Sequence, residues 1–335
     1  MSANTLRSLL ARHIRVVSAR SYSQGFLVPH IKHFNNYNTT ALPYRASSYS
    51  SSYSTSRTTP PNQDVDMAAE PTGLIAKSGI ELLTFGTPNG FKISILLEEL
   101  KAAYGKEYTW QSVNIMKNTQ KEPWFTALSP NGRIPAIVDH DRNKFAVFEG
   151  LAILNYLARH YDPEFKFSFP VDSDEYSEAE QWMAWQHGGL GPMQGQANHF
   201  ARFAKEKLPY AVQRYVGETE RLYGILDARL KTRDFVVGGK FSVADMSLLG
   251  WVNMATFSGV DMAMFPNVQK WLDRCLERPA VQKGFAVPGP NPSPMSNAAL
   301  AKTLAEDPEK KKAADEQKKF VDECKEKYGY KYTSP

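Results

Sequence analysis

The 335-residue chain is predicted to fold as an α/β unit of order βαβαββα followed by an all-helical unit. Three observations lead there. Between residues 74 and 161, short apolar runs bounded by Gly, Pro and Asn alternate with stretches of helical periodicity. From Asp172 onward no convincing strand pattern appears and apolar residues recur at helical spacing. The length suits about two domains, and 42% hydrophobic with 12% aromatic residues is a globular composition. An α/β segment followed by a helical one is a two-domain layout.

Residues 80–85 form an apolar segment ending in Gly86-Thr87-Pro88-Asn89-Gly90, which suits a strand running into a turn. Ile93, Leu96, Leu97 and Leu100 follow at helical spacing, with Lys92, Glu98, Glu99 and Lys101 on the other side. Residues 108–115 read as a second strand, and 123–128 as a short helix opening on proline. The turn-rich loop Ser129-Pro130-Asn131-Gly132-Arg133-Ile134-Pro135 leads into the strand Ala136-Ile137-Val138, and residues 144–148 offer a fourth. Glu149 opens a helix carrying Leu151, Ile153, Leu154 and Leu157. Residues 161–171 would link this unit, 74–161, to a helical unit at 172–286. There, 173–186, 209–230, 242–254 and 266–277 read as helices, joined by loops containing Gly188-Gly189-Leu190-Gly191-Pro192 and Gly238-Gly239. Ser242 and Asp245 have the spacing of a capping box at a helix start.

The two ends differ from this body. Residues 1–63 hold seven Lys or Arg and no acid; without them, 33 basic face 35 acidic residues, so the net charge of +5 belongs to the leader. Read as a helix, Leu6, Leu9, Leu10, Ile14 and Val17 share one face, with Arg7, Arg12 and Arg15 opposite. This cationic, amphipathic start and the Ser- and Tyr-rich stretch after it have the composition of a mitochondrial transit peptide. The alternative is an extension with no address, which would leave the protein cytoplasmic. At the other end, residues 287–335 are first Pro-rich and then Lys- and Glu-rich, which reads as a solvated helix or a frayed tail outside the core.

Near-neutrality of the body disfavours nucleic-acid binding. The longest charge-free run, between Asp245 and Asp261, is too short and too polar to span a membrane. Two cysteines, Cys275 and Cys324, cannot frame a disulfide scaffold, and neither is near Thr87 in sequence, so no Cys-x-x-Cys redox motif is present. His187 and His199 are too isolated to suggest a metal, and none is expected.

The motif set is more telling. Ile134-Pro135 precedes the third strand, Phe148-Glu149 the next helix, and Ser242-Val243-Ala244-Asp245 opens a later one. To these are added Thr87-Pro88-Asn89-Gly90, Ser129-Pro130-Asn131, the run from Trp185 through Gly188-Gly189-Leu190-Gly191-Pro192 to Met193, and Pro209-Tyr210 with Arg214-Tyr215 and Glu218-Thr219. Over about residues 80–284 the chain resembles the soluble glutathione transferases, closest to the nu-class and yeast Ure2-like branch. The resemblance implies a thioredoxin-like N-terminal domain, an all-α C-terminal domain, a homodimer, and glutathione as cosubstrate.

It also implies roles. Thr87 and Asn89 would face the glutathione sulfur at a helix N-terminus, where backbone N–H groups favour an anion; read from the residues alone, Thr-Pro-Asn-Gly is equally a turn with a helix cap. Ile134 would pair through its backbone with the cysteinyl part of glutathione beside a cis proline. Glu149 would take the γ-glutamyl ammonium and the following N–H groups the γ-glutamyl carboxylate; Gly150 stands where the family usually has Ser. Gln120 and Arg133 could hold the glycyl carboxylate, Arg133 being equally a solvated loop residue. Arg214 would approach glutathione, or form a surface pair with Glu218. The reaction implied is attack by bound glutathione thiolate on a small electrophile, a disulfide or peroxide foremost. The rival is a binding or regulatory module keeping the fold, although the leader is short of the Gln and Asn such a prefix would carry.

Overall fold

The computed structural model describes residues 73–289 and 293–329. The expected leader at residues 1–63 lies outside them. Strand β1 (Ile80–Thr84) runs into helix α1 (Pro88–Tyr104), then β2 (Tyr108–Ser112), a short α2 (Pro123–Thr126), β3 (Ala136–Asp139), β4 (Phe145–Phe148) and α3 (Gly150–Tyr161). The sheet order is β2-β1-β3-β4, with β1–β2 parallel and β1–β3 and β3–β4 antiparallel. This is the thioredoxin-like arrangement expected. Alternation along the strands assigns the two faces. Ile80, Leu82 and Ile137 join the core of α1 and α3, whereas Leu83 and Ala136 pack with Phe125 of α2 and Val113 on the opposite face.

The second strand ends earlier than its apolar pattern suggests. Asn114 accepts from the N–H groups of Met116 and Lys117 at 3.0 and 3.3 Å, folding the chain into a turn before the extended run is used up.

After a linker pinned by Asp162, whose carboxylate accepts from the N–H groups of Lys166 and Phe167 and from Ser168 Oγ, the chain is helical. The helices are α4 (Asp174–Trp185), α5 (Gly191–Asn198), α6 (Pro209–Leu230), α7 (Val243–Val252), α8 (Pro266–Leu276), α9 (Pro279–Phe285), α10 (Asn297–Glu306) and α11 (Pro308–Lys327). The capping box forms: Ser242 and Asp245 bond each other's backbone ends, and the buried Asp245 carboxylate also accepts from Val236 N and Trp271 Nε1.

Three expectations need correction. The glycine-rich run 188–192 is not a loop: a π-helical turn at Gln186–Leu190 carries α4 directly into α5. Glycine serves close packing there, since a Cβ on Gly191 would lie 2.6 Å from Gln186 Nε2 and 3.3 Å from Trp251 Nε1. The polar side of α1 is not uniformly solvated, because the helix is covered by α3, α7 and α9. Lys92 is 1% exposed, and the buried Glu99 is gripped by Arg278 at 2.6 and 2.9 Å. The C-terminal segment is neither frayed nor wholly solvated: α11 lies on α6, burying Val321 and Cys324 in a small core with Ala197, Ala201, Val212 and Val216.

Candidate functional site

Sheet register gathers the expected site residues at one end. Leu83 of β1 pairs with Ala136 of β3, and Ala136 with Phe148 of β4. The turn after β1, the loop before β3 and the start of α3 therefore leave the sheet at the same edge, carrying Thr87, Ile134 and Glu149.

Thr87 is the N-cap of α1: its backbone is extended and its Oγ accepts from Gly90 N at 3.3 Å. Acting as an acceptor leaves the hydroxyl proton to be donated outward, so the cap and an anion contact are compatible. Asn89, exposed in the first turn, is steadied by Trp251 of α7, whose indole N–H donates to Asn89 Oδ1 at 3.2 Å. That acceptor contact leaves its amide N–H groups available as donors. The helical layer thus orients a side chain of the α/β layer.

The Ile134–Pro135 bond is cis. The loop before it is braced by Ser129 Oγ donating to Arg133 O at 3.0 Å and by Lys121 Nζ donating to Gly132 O at 2.8 Å. Among the described residues, the N–H and C=O of Ile134 make no hydrogen bond, so both stand open just before β3. Glu149 has φ +68°, an uncommon region for a residue with a side chain. It does not cap α3; its Oε1 accepts instead from Asn131 Nδ2 at 3.2 Å. The first N–H groups of α3 are left as donors at a positive helix end.

The remaining expected residues are placed less directly. Gln120 is 8% exposed, in the turn that packs against the 131–133 loop, and its Oε1 has no partner among the described residues. Arg133 is exposed on that loop. Arg214 is exposed on α6 and reaches Glu218 at 4.0 Å, while Glu218 is held at 2.8 and 2.9 Å by Arg221. No hydrogen bond or ion pair among the described residues ties Arg214 to the Thr87–Glu149 end.

Lys92, Gln186 and His187 were not anticipated. Lys92 Nζ donates to Gln186 Oε1 at 2.6 Å, and burial pulls its pKa down to about 7 against the opposing pull of Glu149. A Cβ on Gly150 would lie 3.1 Å from His187 Nε2 and 3.8 Å from Lys92 Cδ. His187 is held at about 4 by burial and by Lys92, and its Nδ1 lies 3.0 Å from Met183 O. The ring is therefore neutral near pH 7, with Nδ1 donating to the carbonyl and Nε2 a bare acceptor. A sequence signal did exist: a lysine set between Phe91 and the apolar residues Ile93, Ile95, Leu96 and Leu97.

Comparison with known proteins bears on the family and the fold. The profile described as Glutathione S-transferase, N-terminal domain matches residues 78–159, and that for the C-terminal domain matches residues 193–279. The disulfide-bond oxidoreductase YfcG of Escherichia coli is 40% identical over 205 residues, covering 60% of this chain and 92% of that protein. A glutathione transferase homolog from Lodderomyces elongisporus, solved with two GSH per subunit, is 43% identical with a TM-score of 0.60, covering 63% of this chain and 99% of its own. The transferase URE2P6 of Phanerochaete chrysosporium, in complex with oxidized glutathione, is 38% identical with a TM-score of 0.59, over 62% of this chain and 95% of its own.

Proposed function

The chain belongs to the glutathione S-transferase family, in its Ure2-like branch, and from that premise we propose that it is a glutathione-dependent disulfide reductase. One observation carries the reading. The chain's two cysteines, Cys275 on α8 and Cys324 on α11, are both buried, and burial raises both thiols. The site end of the sheet instead offers an anion cradle at the start of α1 with no sulfur of its own. The nucleophilic sulfur must then arrive with glutathione, the cosubstrate.

In this scheme the γ-glutamyl ammonium meets Glu149, its carboxylate meets the N–H groups opening α3, the cysteinyl peptide pairs with Ile134, and the sulfur lies by Thr87 and Asn89. Gln120 and Arg133 serve the glycyl carboxylate, and Arg214 approaches from α6. A free thiol titrates near about 8.5, and a helix N-terminus with a hydroxyl donor favours its thiolate. The thiolate attacks one sulfur of a disulfide; the S–S bond breaks and the other half leaves as a thiolate that takes a proton from water. A second glutathione thiolate attacks the mixed disulfide, releasing the remaining thiol and oxidised glutathione. Two glutathione thiols are oxidised for each disulfide reduced. With a peroxide, the thiolate attacks one oxygen, the O–O bond breaks, and the other oxygen leaves as an alkoxide or hydroxide that takes a proton from water; the sulfenic acid so formed condenses with the second glutathione thiol to the same disulfide, losing water.

The test is turnover of hydroxyethyl disulfide by the purified chain with glutathione, read as oxidised glutathione through glutathione reductase and NADPH. Absence of both turnover and retention on immobilised glutathione would overturn the reading; retention without turnover would favour a binding module. A homodimer belongs to the same proposal and is supported by Phe145 and Phe148, exposed on edge strand β4; sedimentation equilibrium checks it. The leader's composition supports a matrix address, checked by fusing residues 1–63 to a fluorescent reporter.

A further inference from the structure

We propose that Lys92, held behind the start of α3 by Gln186, is the buried cation that binds the γ-glutamyl carboxylate electrostatically, so that glutathione binding takes up a proton. This rests on the reading of the α3 N-terminus given above and goes further by naming the group that sets its pH dependence.

The geometry isolates Lys92 in an unusual way. It projects from α1 toward the first turn of α3, where residue 150 has no side chain to intervene, and its stem lies 3.8 Å from the place a Cβ would take. Almost no water reaches it, at 1% exposure. Among the described residues it hydrogen-bonds only to a neutral amide oxygen, contributed by the π-helical turn of the other layer.

The titratable groups acting on it are Glu149, from the β4–α3 junction, and His187, from the helical layer. Glu149 favours the ammonium; burial disfavours it and leaves it near pKa 7. His187 stays uncharged at that pH and adds no competing cation. Glu149 is an exposed acid already engaged with Asn131, and in the complex its charge is further offset by the ligand ammonium. A carboxylate arriving at the α3 N–H groups then gives Lys92 a second anionic neighbour behind a low-dielectric wall. Its pKa rises, and by linkage the charged form binds more tightly. Affinity is highest below pH 7 and falls as pH rises through the pKa of the free protein, levelling above that of the complex.

The experiment is calorimetric titration of the full chain with S-methylglutathione, whose thioether does not titrate, from pH 6 to pH 8. Two buffers of different ionisation enthalpy are used at pH 7.5. The expected result is an affinity that falls about tenfold more steeply for the natural chain than for Lys92→Met, a tenfold change for each unit by which the ligand raises the ammonium. Net proton uptake should also be lost in the variant. Lys92→Arg, permanently charged, should hold its low-pH affinity to pH 8. The ligand's own ammonium titrates alike against all three proteins and drops out of the comparison. If binding is intact but Lys92→Met or Lys92→Arg follows the natural chain's pH profile, the role of Lys92 is overturned while the glutathione site stands. Absence of S-methylglutathione binding at every pH would overturn both.

Discussion

Replacing Lys325 by Met should loosen the C-terminal helix in a way that depends on pH. Lys325 Nζ sits 2.5 Å from Glu220 Oε1, with side-chain exposures of 20% and 3%. The pair edges a cavity of about 410 Å³ between α11 and the segment around residues 256–264. Removing one member of a buried pair costs roughly 3–5 kcal/mol when the other charge has no escape. Here it has one. Burial already raises the Glu220 pKa, Lys325 being among the influences that hold it down, so the variant can protonate the acid. With the lysine also partly solvated, a loss of about 2–3 kcal/mol at pH 8 follows. In the variant the folded-state pKa stands further above the unfolded value, about 4.3. Stability is then greatest at low pH and is lost as pH rises through the folded pKa, so the penalty shrinks toward pH 5. Urea denaturation at pH 5 and pH 8 measures both, and adding Glu220→Gln to Lys325→Met should recover about 1–2 kcal/mol at pH 8. Equal penalties at the two pH values, together with simple additivity, would refute the argument.

Four further outcomes are expected. Asp245→Ala leaves Trp271 Nε1 and Val236 N unpaired in a fully buried site and should destabilise by about 3 kcal/mol, read by thermal or urea melts. Burial raises Asp245 to about 6, so its ionisation costs the folded state: the stability difference between the natural chain and Asp245→Asn should fall from about pH 4 to pH 6 and then flatten, by up to roughly 3 kcal/mol. Thr87→Val with Asn89→Ala should cut disulfide turnover by about tenfold or more while leaving the melting temperature nearly unchanged, because Thr87 contributes one 3.3 Å cap bond to stability. Trp251→Phe frees Asn89 Oδ1 and should lower kcat/KM several-fold, an effect absent when Asn89 is already Ala.

How much of this was legible beforehand follows from the range of the forces. The βαβαββα order, the turn at Thr87 and the capping box at Ser242 are local: each is written in consecutive residues and each formed. The cap and anion readings of Thr87 proved compatible, because a hydroxyl accepts with its lone pairs and donates with its proton. Lys92 and Glu99 were misjudged because amphipathic periodicity assumes one solvated side, and α3, α7 and α9 cover most of α1. The glycine run was taken for a loop because glycine weakens helices in isolation; here closeness to Trp251 and Gln186 outweighs that cost. The tail was assigned to solvent because lysines and acids interleave along residues 309–319, yet Val321 and Cys324, three apart on a helix, turn one face of it into the small core on α6. The partnership of His187 with Gly150 was beyond reach, since it joins residues 37 positions apart in two different layers.

Helix α1 belongs as much to one half of the molecule as to the other. Its flank carries Ile95, against which Gly284 of α9 rests so closely that a Cβ there would approach to 2.6 Å, and Ser94 Oγ donates to Gly284 O at 2.7 Å. A protease that nicked the chain between residues 163 and 171 would therefore yield two fragments that still co-purify. Recombination that swapped in a foreign helical half would succeed only where the donor brought its own counterpart of Gly284. Inheritance of the two halves as one piece is a steric requirement at a single buried seam.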